Sequence, residues 1–407
     1  MEKTGIPAAA AATTPGAGAD VAAAANAATS APTPPPLAPD TTRALIERFR
    51  DPALARELIA TIQALAARID RPVNLMEVCG THTVAIAKSG FRSILPANIR
   101  LISGPGCPVC VTANVDIDRI IALARVPGVV VATFGDMIRV PGSSSSLQQC
   151  AALGAQVEVV YSPLDALRLA QENPQQQIVF VGVGFETTTP LIASTIERAA
   201  ALGLANFSVI GAHKRVPPAL DALVNDPQVA LDALILPGHV STILGSEPYE
   251  FLSTEHHIPG VITGFDPVDV LQGIAGLLQQ LAAGTAGIQI AYARAVMTQG
   301  NPTARAAIDR VFAVCDATWR GLGLIPSSGY TIRDAFASYD ATRRFTLAVE
   351  KTVEPKGCRC GDVLRGVLSP NRCPLFGKAC TPQNPIGPCM VSSEGSCAAY
   401  FRYQVKD

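Results

Sequence analysis

The run Ile178-Val179-Phe180-Val181-Gly182-Val183 leads into Gly184-Phe185-Glu186-Thr187-Thr188, and a helical pattern over 190–202 then precedes a second apolar run, 207–211. Neither run alternates apolar with polar residues. A strand covered on both faces of a parallel sheet reads in this continuous way. Strand, Gly-bearing loop, helix and strand in that order form the repeating unit of an open parallel sheet flanked by helices. Outward from this unit the order recurs. Further strand candidates are 73–78, 99–103, 129–134, 157–161, 233–236, 261–263 and 288–293, with helical patterns at 117–125, 164–171 and 267–281. The expected fold class is α/β. Nine strands fit two parallel sheets better than one, with a break at Asn173-Pro174 dividing an α/β domain at 71–173 from another at 174–297.

The flanks read differently. Segments 302–316 and 332–349 have helical patterns, and the last fifty residues are rich in Cys, Gly and Pro with little periodicity. Residues 298–407 are expected to form a mainly helical third domain, joined by a helical segment at 39–70. Residues 1–38 hold fifteen Ala and six Pro without an aromatic residue or an Arg. They lack the pattern of a secretory signal or an organellar transit peptide and are expected to be a flexible tail. The uncharged run 270–293 is broken by Gln272, Gln279, Gln280, Gln289 and several Gly. It reads as a helix, a Gly break and a strand, not a membrane span. A cytoplasmic location is the expectation.

Across 407 residues, 32 Lys+Arg offset 33 Asp+Glu, which offers no electrostatic reason for a nucleic-acid or acidic-membrane partner. Hydrophobic content of 48% with 16% charged residues describes a chain that buries large cores. A chain this long needs no disulfide framework, so its eleven Cys point to metal binding or redox chemistry in a reducing compartment.

Most unusual residues directly follow strands. They include Cys79-Gly80-Thr81-His82-Thr83, Gly104-Pro105-Gly106-Cys107-Pro108-Val109-Cys110, Gly135-Asp136, Ala212-His213-Lys214, Pro237-Gly238-His239-Val240-Ser241 and Gly264-Phe265-Asp266. Ligands of open α/β sheets sit beyond the carboxyl ends of the strands. A cleft between two sheets with facing strand ends is therefore expected, with Glu186, His213 and His239 as candidate lining residues. Glu186 can alternatively cap the next helix. Cys79 stands between a strand end and a helix start, where the helix dipole favours thiolate, the form required of a nucleophile or soft metal ligand. His82 can face the same cleft, and a buried structural cysteine is the plainer alternative for Cys79. Cys107 and Cys110 form a C-x-x-C, suited to a reversible disulfide or half of a zinc site. No second C-x-x-C appears, which favours redox.

Six cysteines lie near the end: Cys358, Cys360, Cys373, Cys380, Cys389 and Cys397. Their spacing excludes zinc ribbon and RING patterns but suits an iron–sulfur centre, with loosely spaced structural zinc as the alternative. A [4Fe–4S] cluster needs four thiolates, and the many Pro and Gly nearby supply irregular backbone to wrap it.

Together these words resemble the HypD family of [NiFe]-hydrogenase maturation proteins, from about residue 41 to 403. The spacing C-x14-C-x6-C-x16-C at Cys358, Cys373, Cys380 and Cys397 matches as well. The resemblance implies a scaffold, acting with the chaperone HypC, on which the Fe(CN)2CO group is assembled before delivery to the hydrogenase large subunit. HypE would supply cyanide from a thiocyanate on its own cysteine. Carried over, Cys79 binds the iron with His82 nearby, Cys107 and Cys110 are the redox dithiol, and Cys358, Cys373, Cys380 and Cys397 hold a [4Fe–4S] cluster. A scaffold of this kind need not turn over independently as an enzyme. Cys360 and Cys389 are left as alternative ligands, a second redox pair or apolar filling. Two other readings use fewer of the motifs: a general iron–sulfur thiol–disulfide reductase, and a zinc-stabilised interaction module.

Overall fold

Nine strands form at the expected places in the computed structural model, which describes residues 47–404. They are β1 (Val73–Glu77), β2 (Ile99–Ser103), β3 (Val129–Thr133), β4 (Gln156–Val159), β5 (Gln177–Gly182), β6 (Phe207–Gly211), β7 (Ala233–Pro237), β8 (Gly260–Thr263) and β9 (Ile288–Ile290). The tail at 1–38, and the part of the 39–70 segment before Glu47, lie outside the described residues.

All nine pair in parallel, in two sheets ordered β2-β1-β7-β8-β9 and β4-β3-β5-β6. The division of strands differs from the expected break at Asn173-Pro174. After β2 the chain leaves the first sheet, builds the whole second sheet from β3 to β6, and returns for β7 to β9. Apolar runs report that a strand is covered, not which strand covers it, so the interruption left no local trace. The patterning otherwise behaves as expected for covered strands. Every residue of β3 and β7 is buried, whereas edge strand β4 is mostly exposed.

One face of the first sheet packs Leu75, Ala233, Ile235 and Val261 against helices Pro52–Ala66 and Pro267–Ala283. Asp51 starts the first of these by accepting from Ala53 N at 2.7 Å. This helix therefore belongs to the first sheet and does not join the C-terminal region as expected; Ile62 and Ala66 are its buried contacts. Gly284, at φ +66°, ends the second helix and turns the chain into β9. That is the helix, break and strand expected for 270–293, and among the described residues no helix is long and apolar enough to cross a membrane.

The opposite face, through Met76, Leu234, Leu236 and Ile262, packs on helix Val216–Val224, on Trp319 and on the cysteine-rich C-terminal segment. After helix Pro302–Val311 the chain forms an antiparallel hairpin, β10 (Phe312–Trp319) and β11 (Gly323–Ile332), where periodicity suggested helix. Partly buried and exposed residues alternate along β10 between buried Phe312 and Trp319, and Gly321 and Gly323 adopt positive φ at the turn. Trp319 anchors the hairpin. Its indole stacks on Phe185 at 5.9 Å and donates to Ser328 Oγ at 2.9 Å. Beyond it, 332–349 holds only the 3-10 turn Asp334–Tyr339 and the helical turn Ala341–Arg344. Arg344 donates to the Ala205 and Phe207 carbonyls at 2.7 and 2.8 Å, so the segment follows the edge of the second sheet instead of its own periodicity. The last helices are Cys360–Leu364, Pro388–Val391 and Ser396–Tyr403.

Candidate functional site

In the first sheet the strand order reverses between β1 and β7, because β2 lies on one side of this pair and β8 and β9 on the other. The carboxyl ends of strands at such a reversal splay their loops and leave a crevice. Cys79 and His82 follow β1, and His239 follows β7.

Cys79 occupies the N-cap of helix Gly80–Ser89 with extended backbone, and its N–H donates to Glu77 Oε2 at 3.3 Å. Glu77 is fully buried and also accepts from Thr83 Oγ1 at 2.6 Å. Burial lifts its carboxyl to about 7. The loop after β2 presses on the same turn, with Gly80 N donating to Gly106 O at 2.9 Å. From the far end of the chain, Glu394 Oε1 accepts from Thr81 Oγ1 at 2.7 Å.

These neighbours reverse the expected state of Cys79. Burial, reinforced by the Glu394 and Glu77 carboxylates, pushes its thiol up to about 12. The backbone N–H groups of His82 and Thr81 act in the direction expected of a helix start, but they are outweighed. Desolvation wins here because a thiolate loses more from leaving water than the helix start returns. The thiol stays protonated until a positively charged ligand displaces the proton.

The His82 imidazole is buried with Nε2 2.9 Å from Gly264 O. A carbonyl only accepts, so Nε2 carries the hydrogen and Nδ1 presents a lone pair, which has no partner among the described residues. Burial lowers the ring to about 4, keeping it neutral. Phe265 lies between the two histidines, at 4.6 Å from His82 and stacked at 4.0 Å on exposed His239.

Gly106 permits this close packing. A Cβ there would lie 2.1 Å from Cys79 N and 2.4 Å from Cys79 Cα. Gly106→Ala is expected to cost roughly 3 kcal/mol, the upper range for overpacking, and to displace the Cys79 turn. Denaturant midpoints and the alkylation rate of Cys79 check it.

Cys107 and Cys110 are joined as a disulfide at the start of turn Pro108–Val111, and Cys110 Sγ lies 3.9 Å from Pro388 O, one residue before Cys389. All six C-terminal cysteines line one cavity: Cys358, Cys360, Cys373, Cys380, Cys389 and Cys397. Cys360 and Cys389 place their sulfurs 2.6 Å apart. Cys358 packs on Gly387, where a Cβ would come within 2.6 Å of its sulfur, and Cys380 Sγ accepts from Ile386 N at 3.4 Å. Hydrogen bonds from Cys358 and Cys389 draw the Cys360 thiol well below the usual range. Among the described residues no three His, Cys, Asp or Glu side chains are arranged to hold a single ion. The thiols instead surround a shared space, a donor set that suits a soft metal cluster.

The second sheet also reaches this interior. Phe185, just after β5, shares one core with Val78, Cys107, Cys110, Val240 and Tyr249 from the carboxyl ends of the first sheet. Glu186 accepts from Val216 N at 3.0 Å, so it caps helix Val216–Val224 and not the helix that follows it. Glu186 and Cys79 both lie within electrostatic reach of buried Tyr249. Burial lifts Glu186 to about 7 from an ordinary 4.5, so the folded state holds the proton more tightly than the unfolded chain. Stability from this group is full below pH 4.5 and falls as pH rises through 7, by on the order of 3 kcal/mol. Glu186→Gln should therefore gain on the parent protein across that window, as denaturant midpoints at both ends would show.

His213 stands apart. It is buried with neither ring nitrogen hydrogen-bonded, against Gly182 and edge-on to Phe312 at 5.4 Å. Cys150 is buried among apolar side chains, and Cys315 is half-buried in the hairpin. Glu77, Tyr249 and Glu394 are site residues that sequence reasoning missed. Glu394 belongs to an aperiodic segment, and nothing local to it announces Cys79.

Residues 53–404 match the HypD family, described as the hydrogenase formation hypA family. The chain is 48% identical over 365 residues to the hydrogenase maturation factor HypD of Azotobacter vinelandii, covering 88% of this chain and 96% of that one. It is 43% identical to HypD of Escherichia coli strain K12, covering 89% and 98%. A putative hydrogenase expression/formation protein of Methanocaldococcus jannaschii is 42% identical, covering 88% and 99%.

Proposed function

This chain belongs to the HypD family of hydrogenase maturation factors, and on that footing we propose that it is a scaffold on which the Fe(CN)2CO group is assembled. HypC acts with it, HypE donates cyanide, and the hydrogenase large subunit is the eventual recipient. The iron is cargo, held by Cys79. The observation that carries this reading is the convergence of Cys79, His82 and His239 at the strand-order reversal, with the C-x-x-C loop packed directly behind Cys79.

Each residue has a definable task. Cys79 releases its proton on meeting iron and becomes a soft anionic donor, and Glu394 is the nearby carboxylate able to receive that proton. His82 offers a neutral Nδ1 lone pair beside it. Phe265 packs between the two histidines and helps bury His82, while His239 stays exposed.

Cyanide release from a thiocyanate is a two-electron reduction. Two thiols, Cys107 and Cys110, would lose two hydrogens and close as a disulfide. The carrier sulfur leaves as a thiol, and hydrogen cyanide is freed. Reopening the disulfide then calls for two electrons and two protons, the electrons coming from an external one-electron donor. Cys358, Cys373, Cys380 and Cys397 would hold a [4Fe–4S] cluster, whose chemistry is single-electron transfer. Cys360 and Cys389, already in contact, would form a second thiol pair between the cluster and Cys110, near Pro388. A plain thiol–disulfide reductase would leave Cys79, His82 and His239 without work.

The test is anaerobic co-purification with HypC, followed by metal analysis and infrared spectroscopy. Iron in excess of the cluster's own, with cyanide and CO stretching bands, is the expected result. Absence of both bands from a brown complex with no extra iron would defeat the scaffold reading.

A further inference from the structure

β2 is the terminal strand of the first sheet, and all five of its residues line one cleft of about 690 Å3. At about 3.3 Å per residue the strand offers roughly 16 Å of length, enough for about five residues of extended chain. Residues 366–370 and Tyr400 line the same cleft. Arg92, Arg100 and Arg372 reach it, and no Asp or Glu lines it. Acids around the cleft are committed elsewhere: Asp232, which accepts from lining residue Asn74, pairs with Arg71, and Asp226 and Asp362 pair with Arg365. None of the three lining arginines has a carboxylate within ion-pair distance among the described residues, and Arg92 acts on the buried Glu77 carboxyl from farther off.

Arg92 is the best ordered of them. Its Nε donates to Leu101 O and its Nη2 to Ser103 Oγ, both at 3.4 Å, and the guanidinium sits 5.0 Å from the Tyr400 ring centre. Nη1 is buried with no acceptor. A guanidinium held in place on the cleft wall is organised for a carboxylate. The positive charge is spread along the cleft. Arg92 meets the strand at Leu101 and Ser103, Arg100 lies on the strand itself, and Arg372 comes from the C-terminal region. Apolar surface lies between them, from Leu95, Pro96 and Val367, and Val367 is 41% exposed.

We propose that this cleft receives an extended segment of a partner protein in which acidic and apolar residues are mixed. Its carboxylates meet Arg92, Arg100 and Arg372, and its apolar side chains cover Leu95, Pro96 and Val367. A small polyanion would use the charge but leave the length and the apolar surface unmatched. The inference rests on a folded C-terminal region, which supplies residues 366–370 and Arg372, and not on what the cysteines there hold.

Fluorescence anisotropy on the full-length protein tests it, with a labelled short peptide alternating Glu and Leu as probe and its Gln-for-Glu counterpart as control. The Glu peptide should bind roughly tenfold tighter than the control, and both added salt and the double substitution Arg100→Glu/Arg372→Glu should remove that advantage. Both arginines are exposed, so the variant should fold, with circular dichroism and iron content as checks. Equal binding of the two peptides, or unchanged affinity in the variant, would overturn the proposal. Pyrophosphate binding that depends on these arginines, without peptide binding, would make the cleft a small-anion pocket instead. Self-association lost in the variant would assign it to a second copy of the chain, which also overturns it.

Discussion

Cys79→Ala is expected to yield a folded, brown protein that carries no cargo iron and fails to mature hydrogenase, with activity down at least about a hundredfold. The fold should tolerate the change. What Glu77 binds at this position is the backbone N–H, which alanine keeps, and the change removes one sulfur from a site that needs no packing partner there. Stability should shift by no more than about 1 kcal/mol. The chemistry should not tolerate it, because no other thiol belongs to this turn and His82 alone offers one neutral nitrogen. The raised thiol adds a second signature. Binding a metal to a protonated thiol releases a proton, so iron loading of the parent protein should strengthen as pH rises. Hydrogen uptake in a complemented host, iron per chain and the cyanide and CO bands measure the effect. Normal maturation by the variant would remove Cys79 as the iron holder.

Alanine at Cys358, Cys373, Cys380 or Cys397 should bleach the brown colour and loosen the C-terminal region. Metal binding there is also folding energy, on the order of 10 kcal/mol in structural metal sites. Short helices, Cys360–Leu364 and Pro388–Val391, have little stability of their own at such lengths. They pack through Val363, Leu364 and Met390 into the core that also holds Trp319, Cys107 and Cys110, so disorder would spread toward the C-x-x-C. Cys360→Ala and Cys389→Ala should keep the colour, since these two sulfurs already face one another. Visible absorbance, iron content and proteolysis of the C-terminal region separate the cases. Bleaching by Cys360→Ala or Cys389→Ala while Cys358→Ala stays brown would show that the ligand set is wrongly chosen.

Several elements were legible because their signals are local. Apolar runs, most of them continuous, marked all nine strands of the two sheets, and the Gly- and Cys-bearing words after them marked where a crevice would open. The hairpin was not legible as a hairpin. Its first strand follows helix Pro302–Val311 without a break, and the alternation over eight residues is short enough to extend a helical pattern. The 332–349 segment misled for a different reason: its conformation is held by Arg344 bonding to carbonyls at the edge of the second sheet, well over a hundred positions away.

The amino-acid sequence alone determined that this chain builds parallel α/β sheets, that its Gly-, Cys- and His-bearing segments stand at strand carboxyl ends, and that six of its cysteines cluster near one end. Backbone propensity, burial periodicity and residue type are all properties of short windows, so a window can carry them. Tertiary structure alone decided which strands share a sheet, that Cys360 meets Cys389, and that Cys79 is a protonated thiol instead of a thiolate. Thr81 and Glu394 are 313 positions apart, yet their hydrogen bond brings a carboxylate beside Cys79. Desolvation and charge act through space, and their strength at a site depends on which distant segments fold over it.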